Sequence, residues 1–289
     1  MFRMNDTSVD FPLNISMLGS PGRPPWYEDE ACAAAPYGFV FYFAVKVFNL
    51  AIGFPANAMV MWLVATNKSG SSSDIFIFSL AVLDGYFCLM TPIEMVNRLV
   101  LGDSGIWYFQ RFAYGVKDVA PLFLMCICLD RYFAVVFPIL FTGLRDNRIR
   151  IVVTAVMWGL IVAHGLTKSF LGAMSVNDVF SGLVLSGFIL MVFCNLNIMW
   201  VLRRSVAGKE NMNPVKKKAF KMVLIVLGIT TVCYLPVALM PFASYYSFVT
   251  LKCQISITVF SIMDLSCSIE PLLYISKLEQ IACCKVQQK

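Results

Sequence analysis

Residues 128–138 read CLDRYFAVVFP. The stretch closes a long apolar run with an acid, a base and a tyrosine, then returns at once to apolar residues. Asp130 and Arg131 therefore stand side by side where the sequence is otherwise greasy. The chain around them has 289 residues, of which 59% are hydrophobic and only 14% charged, with a mean hydropathy of +0.74. Soluble domains carry about 25% charged residues, so too few charges are present here to cover a water-facing surface. The chain reads as an integral membrane protein, and its length is taken up by spans rather than by a separate soluble domain.

Apolar stretches near the roughly twenty residues needed to cross a bilayer recur at 37–66, 74–100, 107–137, 149–168, 180–202, 217–243 and 251–275. The expected fold is all-α: a bundle of seven membrane helices over 37–276, preceded by a tail over 1–36. A short cytoplasmic tail follows over 277–289, with an amphipathic helical segment. Lys68, Arg145, Arg148, Arg150 and the basic set from Arg203 to Lys218 lie after the first, third and fifth spans. The positive-inside rule puts those loops and the C-terminus in the cytoplasm, and the N-terminus outside. The sequons at Asn5 and Asn14 agree, because only an outward tail can be glycosylated. The first residues, MFRMNDTSVD, lack an apolar h-region, so no cleavable signal peptide is expected and the first span serves as anchor.

The net charge of +6 does not point to nucleic acid, since the basic residues sit in short loops between apolar runs. Most of the ten cysteines fall inside spans, where thiols behave as small hydrophobes. His164 is the single histidine, and neither a metal-ligand spacing nor a phosphate-binding loop occurs. No cofactor, metal or enzymatic activity is expected.

Charges inside spans are costly, at least about 2.5–3.5 kcal/mol each on insertion scales, and each is a functional candidate by default. They are Lys46, Asp84, Glu94, Lys117, Asp118, Asp130, Arg131, Asp264 and Glu270. Pro55, Pro92, Pro121, Pro236 and Pro271 also fall within spans, each deleting a backbone hydrogen bond.

These residues carry a family resemblance. GFPAN ends at Asn57, SLAVLD at Asp84, and the third span closes with Asp130-Arg131-Tyr132 and Pro138. Trp158 follows in the fourth span, Cys233-Tyr-Leu-Pro236 in the sixth and Glu270-Pro-Leu-Leu-Tyr274 in the seventh. From residue 37 onward the chain resembles the rhodopsin-like, class A G protein-coupled receptors. Pro92, KVFNLAIGFP and SCSIEPLLY are similar to the branch of nucleotide, protease-activated and hydroxycarboxylic-acid receptors. The resemblance implies a plasma-membrane receptor whose partners are a small extracellular ligand and a heterotrimeric G protein. It implies that Arg131 pairs with Asp130 at rest and turns toward the G protein on activation. Arg131, Tyr132, Pro138, Phe141 and the basic ends at Arg203 and Lys217 would form that face, with Tyr234, Pro236, Pro271 and Tyr274 as switch residues.

Departures from the family pattern narrow the reading. The usual cysteine atop the third span is Ile106, and the loop 168–180 has no cysteine to match it. The resemblance to nucleotide and hydroxycarboxylic-acid receptors implies instead a disulfide between Cys32 and Cys253, and palmitoylation is expected at Cys283 and Cys284. Gly187, Asn195, Tyr234 and Glu270 replace the family's usual residues, and Ala120 stands where relatives help hold sodium. Asp84 and Glu270 are expected to face each other at mid-membrane, sharing a proton or holding a cation. Asp264 and Ala113 exclude the opsin and amine-receptor patterns.

Lys117 matches the place where hydroxycarboxylic-acid receptors carry an arginine that grips a carboxylate. Two arrangements remain open. In one, Lys46 and Lys117 line an outward cavity with Glu94, and with Arg98, Lys168 and Lys252 at its mouth, ready for an anionic ligand (a carboxylate, nucleotide or lipid). In the other, Lys46 pairs with Glu94 or Asp264, and Lys117 with Asp118 or Glu94, leaving the pocket neutral. The rival functions are a receptor-like scaffold without signalling, motivated by the departures above, and a seven-span transporter, for which internal repeats would be expected and none is evident.

Overall fold

The computed structural model describes residues 37–66, 73–101, 103–143, 147–171, 174–204, 227–237, 239–240 and 251–286. Among these residues every regular element is helical. Helix α1 runs Tyr37–Thr66, α2 runs Asp74–Leu101, and α3 comprises Ser104–Asp118 and Pro121–Val136. After a short helix at Pro138–Gly143 come α4 (Asn147–Leu171) and α5 (Met174–Arg204). Helix α6 is described over Leu227–Val237, the middle of the expected span 217–243. Helix α7 is built from Leu251–Ser256, Ile257–Asp264 and Ser266–Val286. Its helical backbone continues past residue 276, where a separate amphipathic segment was expected, to Val286.

Among the described residues, six helices are long and apolar enough to cross a membrane. Trp62, Phe193 and Trp200 lie on the outside of the bundle, whereas Lys46, Asp84, Lys117 and Asp118 are buried inside it. That inversion of the soluble pattern is what a lipid environment favours, and the chain is a multi-pass membrane protein.

Prolines shape the helices locally. Pro55 has no N–H for the Ala51 carbonyl, and α1 widens into a π-helical turn at Asn49–Gly53. Pro121 likewise has no N–H for the Lys117 carbonyl, which accepts from Ala120 at 3.1 Å instead. Helix α3 breaks there, at Val119 and Ala120. Asp103 caps its start, accepting from the Gly105 and Ile106 amides at 2.6 and 3.2 Å.

Helix α3 is central. Its first half packs on α4 and its second half on α5, while α2 covers another face. Phe76, Leu80 and Leu83 of α2, Val116, Leu122 and Phe123 of α3 and Ile161 of α4 form the main apolar core. The α3–α4 crossing is tight because two glycines meet: a Cβ on Gly115 would lie 2.8 Å from the Gly165 Cα.

Candidate functional site

Among the described residues, buried polar side chains gather in clusters along the bundle. The first gathers around Lys46, which is 1% exposed. Its ammonium lies 3.3 Å from Glu94 of α2 and 3.3 Å from Asp264 of α7. The ring centroids of Phe87, Tyr114 and Tyr42 surround it at 3.9, 4.6 and 5.4 Å. Ring faces attract a desolvated cation, so this cage offsets part of the ammonium's lost hydration. Glu94 also accepts from the Tyr42 and Tyr114 hydroxyls and, at 3.2 Å, from Arg98 one turn along α2. The Arg98 guanidinium rests over Tyr42 and Trp107. Lys46 and Arg98 against Glu94 and Asp264 leave the cluster with formally balanced charge.

The second cluster centres on Lys117. Its ammonium donates to Asp84 Oδ1 at 2.9 Å and to Ser266 Oγ at 3.0 Å. The Tyr234 hydroxyl is 3.1 Å from Ser266 Oγ and donates to Glu270 Oε1 at 3.1 Å. Cys267 Sγ lies 3.4 Å from Asp84 Oδ1. The chain Asp84–Lys117–Ser266–Tyr234–Glu270 thus joins α2, α3, α6 and α7.

Nearby backbone is tied down as well. Asn57 donates to the Cys267 carbonyl at 2.8 Å, Asn49 to the Asp264 carbonyl at 2.8 Å, and Ser268 to Asn49 Oδ1 at 2.6 Å. The break in α7 at Leu265 is therefore bracketed on both sides by side-chain bonds to α1.

At the Asp130 end of α3, the Asp130 carboxylate accepts from Ser73 at 2.6 Å and from Arg150 of α4 at 3.2 Å. Arg150 is 7% exposed and lies against the Phe141 ring. Tyr132 packs on Phe133, Phe137 and Phe193, and Tyr274 donates to Asp74 at 3.5 Å.

Of the two arrangements open from sequence, the structure has the paired one. Lys46 bonds to both of its expected partners. For Lys117 the partner is a correction: it is Asp84, not Asp118 or Glu94, and with Lys117 1% exposed its charge faces the bundle interior rather than an outward cavity. The reason lies in helix geometry, since adjacent residues point about 100° apart. Lys117 faces α2 and α7, while Asp118 faces α4 and meets Lys168 and, at 3.9 Å, His164. Lys168, expected at a ligand's entrance, is thus also ion-paired. Asp84 and Glu270 are joined through Lys117, Ser266 and Tyr234.

Lys252 and Cys253 lie in the first turn of α7, and Cys283 and Cys284 in its last, where only the backbone is described. Cys32, Asn5, Asn14 and Lys217 lie outside the described residues. The described residues hold no group of three or more metal-ligating side chains. Sequence reasoning missed Ser266, Ser73 and Arg150. Ser266 had a readable signal, standing four residues before Glu270 on one helix face. Arg150 was hidden among basic residues that read as a loop.

Residues 56–181 match the family described as 7 transmembrane receptor (rhodopsin family). Purinoceptor 1 of Homo sapiens is 25% identical over 235 residues, covering 71% of this chain and 63% of that protein. Purinoceptor 1 of Bos taurus is 24% identical over 265 residues, covering 77% and 70%. Proteinase-activated receptor 3 of Homo sapiens is 26% identical over 128 residues, covering 43% and 34%. The chain accordingly aligns with less than two thirds of the human purinoceptor's length.

Proposed function

Because the chain belongs to the rhodopsin family of seven-transmembrane receptors, in the branch that holds purinoceptors and protease-activated receptors, we propose that it converts the binding of a small extracellular ligand into guanine-nucleotide exchange on a heterotrimeric G protein. It does so without covalent chemistry. The ligand biases an equilibrium between helix arrangements through its differential affinity for them. Its place is the plasma membrane, with the N-terminus outside, Asn5 and Asn14 glycosylated, Cys32 bridged to Cys253, and Cys283 and Cys284 acylated.

The observation that carries this reading is the Asp130-Arg131-Tyr132 end of α3. There Asp130 is shared with Ser73 and Arg150, from outside its own helix. An arginine beside so engaged a carboxylate can exchange one partner for another, because guanidinium is always charged and offers several donors. Two further groups of buried polar side chains lie in the bundle, Asp84 with Lys117 and Lys46 with Glu94 and Asp264, and Arg98 borders the second.

The ligand's anionic group meets Arg98 first in this reading. Its side chain is 12% exposed, against 2% for Lys46. Lys168 and Lys252 flank the approach, and Lys117 has no part in it. The name of the related purinoceptor 1 makes purine nucleotides the first compounds to try.

The test uses purified receptor in lipid nanodiscs with a heterotrimeric G protein, reading nucleotide exchange with and without adenine nucleotides. Arg131→Ala is expected to melt as the parent does and to catalyse no exchange above background. Exchange at the parent's rate by Arg131→Ala would remove the assignment.

A further inference from the structure

Cys88 of α2 and Cys267 of α7 are free thiols, both 0% exposed. They pack in one cluster with Phe87 and Ala113, and their side chains are hydrogen-bonded to each other. Gly53 of α1 shows how tight this corner is. A Cβ there would stand 3.1 Å from the Cys88 sulfur and 3.5 Å from the Cys267 carbonyl. The Cys267 thiol also donates to Asp84 Oδ1 at 3.4 Å, and the same oxygen accepts from the Lys117 ammonium at 2.9 Å. A carboxylate within reach of the thiol's proton, and a lysine beside it to favour the thiolate, are surroundings that activate a cysteine. Each thiol also stands where its helix can yield. Pro92 has no N–H for the Cys88 carbonyl, so α2 lacks a backbone bond at that turn. Cys267 follows the break in α7 at Leu265 by two residues. Cys128 and Cys194 also share a cluster, between α3 and α5, but there the Cys128 sulfur faces the Asn195 amide at 4.0 Å, a group that cannot take up a proton.

We infer that Cys88 and Cys267 form a redox-modification site, at which hydrogen peroxide converts the two thiols into a disulfide joining α2 to α7. The Cys267 proton passes to Asp84 as the sulfur attacks one peroxide oxygen. The O–O bond breaks, and the leaving hydroxide takes up that proton to become water. Cys267 is then a sulfenic acid. The Cys88 sulfur attacks the sulfenyl sulfur, the S–S bond forms and the S–O bond breaks, and the hydroxide departs with the Cys88 proton as a second water. The two thiols together lose two electrons and the peroxide gains them. Burial selects the oxidant, because a charged disulfide such as oxidised glutathione would have to leave its hydration behind, whereas peroxide is small and uncharged. With Cys88 already in contact, the sulfenic acid is captured before it oxidises further. The product ties α2 to the part of α7 just beyond its break. This inference does not depend on whether the protein couples to a G protein.

The experiment treats the full chain, folded in lipid nanodiscs, with hydrogen peroxide. Catalase ends the treatment, and the chain is unfolded in an alkylating reagent, digested and read by mass spectrometry without reductant. The expected product is a joined pair of peptides carrying Cys88 and Cys267, which reductant separates. Cys128 and Cys194 are expected back as alkylated thiols. Cys88→Ala and Cys267→Ala should each abolish the joined pair. Chain unfolded in dodecyl sulfate before the peroxide should lose the preference for this pair, because only the fold brings the two sulfurs together. Recovery of Cys88 and Cys267 as alkylated thiols from the treated, folded parent would overturn the inference. So would a Cys88–Cys267 product no more abundant in the folded chain than in the unfolded one, or a Cys128–Cys194 product that forms as readily.

Discussion

Lys46 of α1 and Asp264 of α7 form a buried ion pair at 3.3 Å, beneath an aromatic cage and within reach of Glu94. Removing one member of such a set costs more than the set contributes, because the remaining charges are stranded. Lys46→Met is expected to destabilise the receptor by about 3–5 kcal/mol, read as a large drop in melting temperature and in the fraction recovered folded. Lys46→Met combined with Glu94→Gln and Asp264→Asn should regain most of the loss, since no stranded charge is left. A single variant that melts like the parent would show that the pair is not holding α1 to α7.

At the other end of the bundle, Arg150 and Ser73 hold Asp130. Arg150→Met leaves Asp130 with one charged partner fewer outside its own helix, so the carboxylate attracts the adjacent Arg131 more strongly. Basal exchange on a reconstituted G protein should fall by up to about tenfold, the equivalent of one charge-assisted bond of roughly 1.4 kcal/mol. Asp130→Asn acts in the opposite sense and should raise it. Equal rates for both variants would disconnect Asp130 from the control of exchange.

The helices themselves were readable because apolar runs of spanning length are interrupted by short basic loops, and because Asn57, Asp84, Asp130-Arg131-Tyr132 and Pro271 stand in order along them. Helix geometry, with adjacent residues about 100° apart, explains why Lys117 does not meet Asp118, a pairing that the sequence left open. What it did not supply was the identity of the residue across the bundle. Asp84 is 33 positions away from Lys117 and Ser266 is 149 away, distances bridged only by tertiary packing. Arg150 was lost for a different reason: it stands at the edge of the expected span 149–168 and was grouped with the basic loop residues Arg145 and Arg148, although α4 begins at Asn147. The close approach at Gly115 and Gly165 left no periodic trace, since Gly115 is the one glycine of its span and Gly165 does not stand three or four residues from Gly159.

That glycine contact gives a sharp test of the α3–α4 crossing. A Cβ on Gly165 would stand 2.9 Å from both Phe112 and Val116, and one on Gly115 2.8 Å from the Gly165 backbone. Overpacking of this kind typically costs about 1–3 kcal/mol. Gly115→Ala should be the worse of the two, because it meets backbone while Gly165→Ala meets side chains that can turn. Gly159→Ala, whose Cβ would meet nothing within 4 Å, is the control and should melt like the parent. Reversal of that order in thermal unfolding would mean the two helices do not cross at these glycines.

Tyr234 offers the finest probe of the mid-membrane chain, because one atom can be deleted from it. The ring is 1% exposed, and its hydroxyl stands 3.1 Å from Ser266 and 3.1 Å from Glu270. Tyr234→Phe keeps the ring, so no cavity larger than an oxygen results. It does take the donor away from Glu270 Oε1, on a carboxylate whose other oxygen already has no partner. Leaving a buried acceptor unsatisfied costs about 1–3 kcal/mol, more where the group is charged. Glu270→Gln alters the same bond from the other side, so the two changes share one interaction and should not add. In a double-variant cycle read by thermal unfolding, Glu270→Gln should therefore cost less in the Tyr234→Phe background than in the parent, with a coupling of about 0.5–3 kcal/mol. Strict additivity would mean that Tyr234 and Glu270 act independently, and that α6 is not tied to α7 through this hydroxyl.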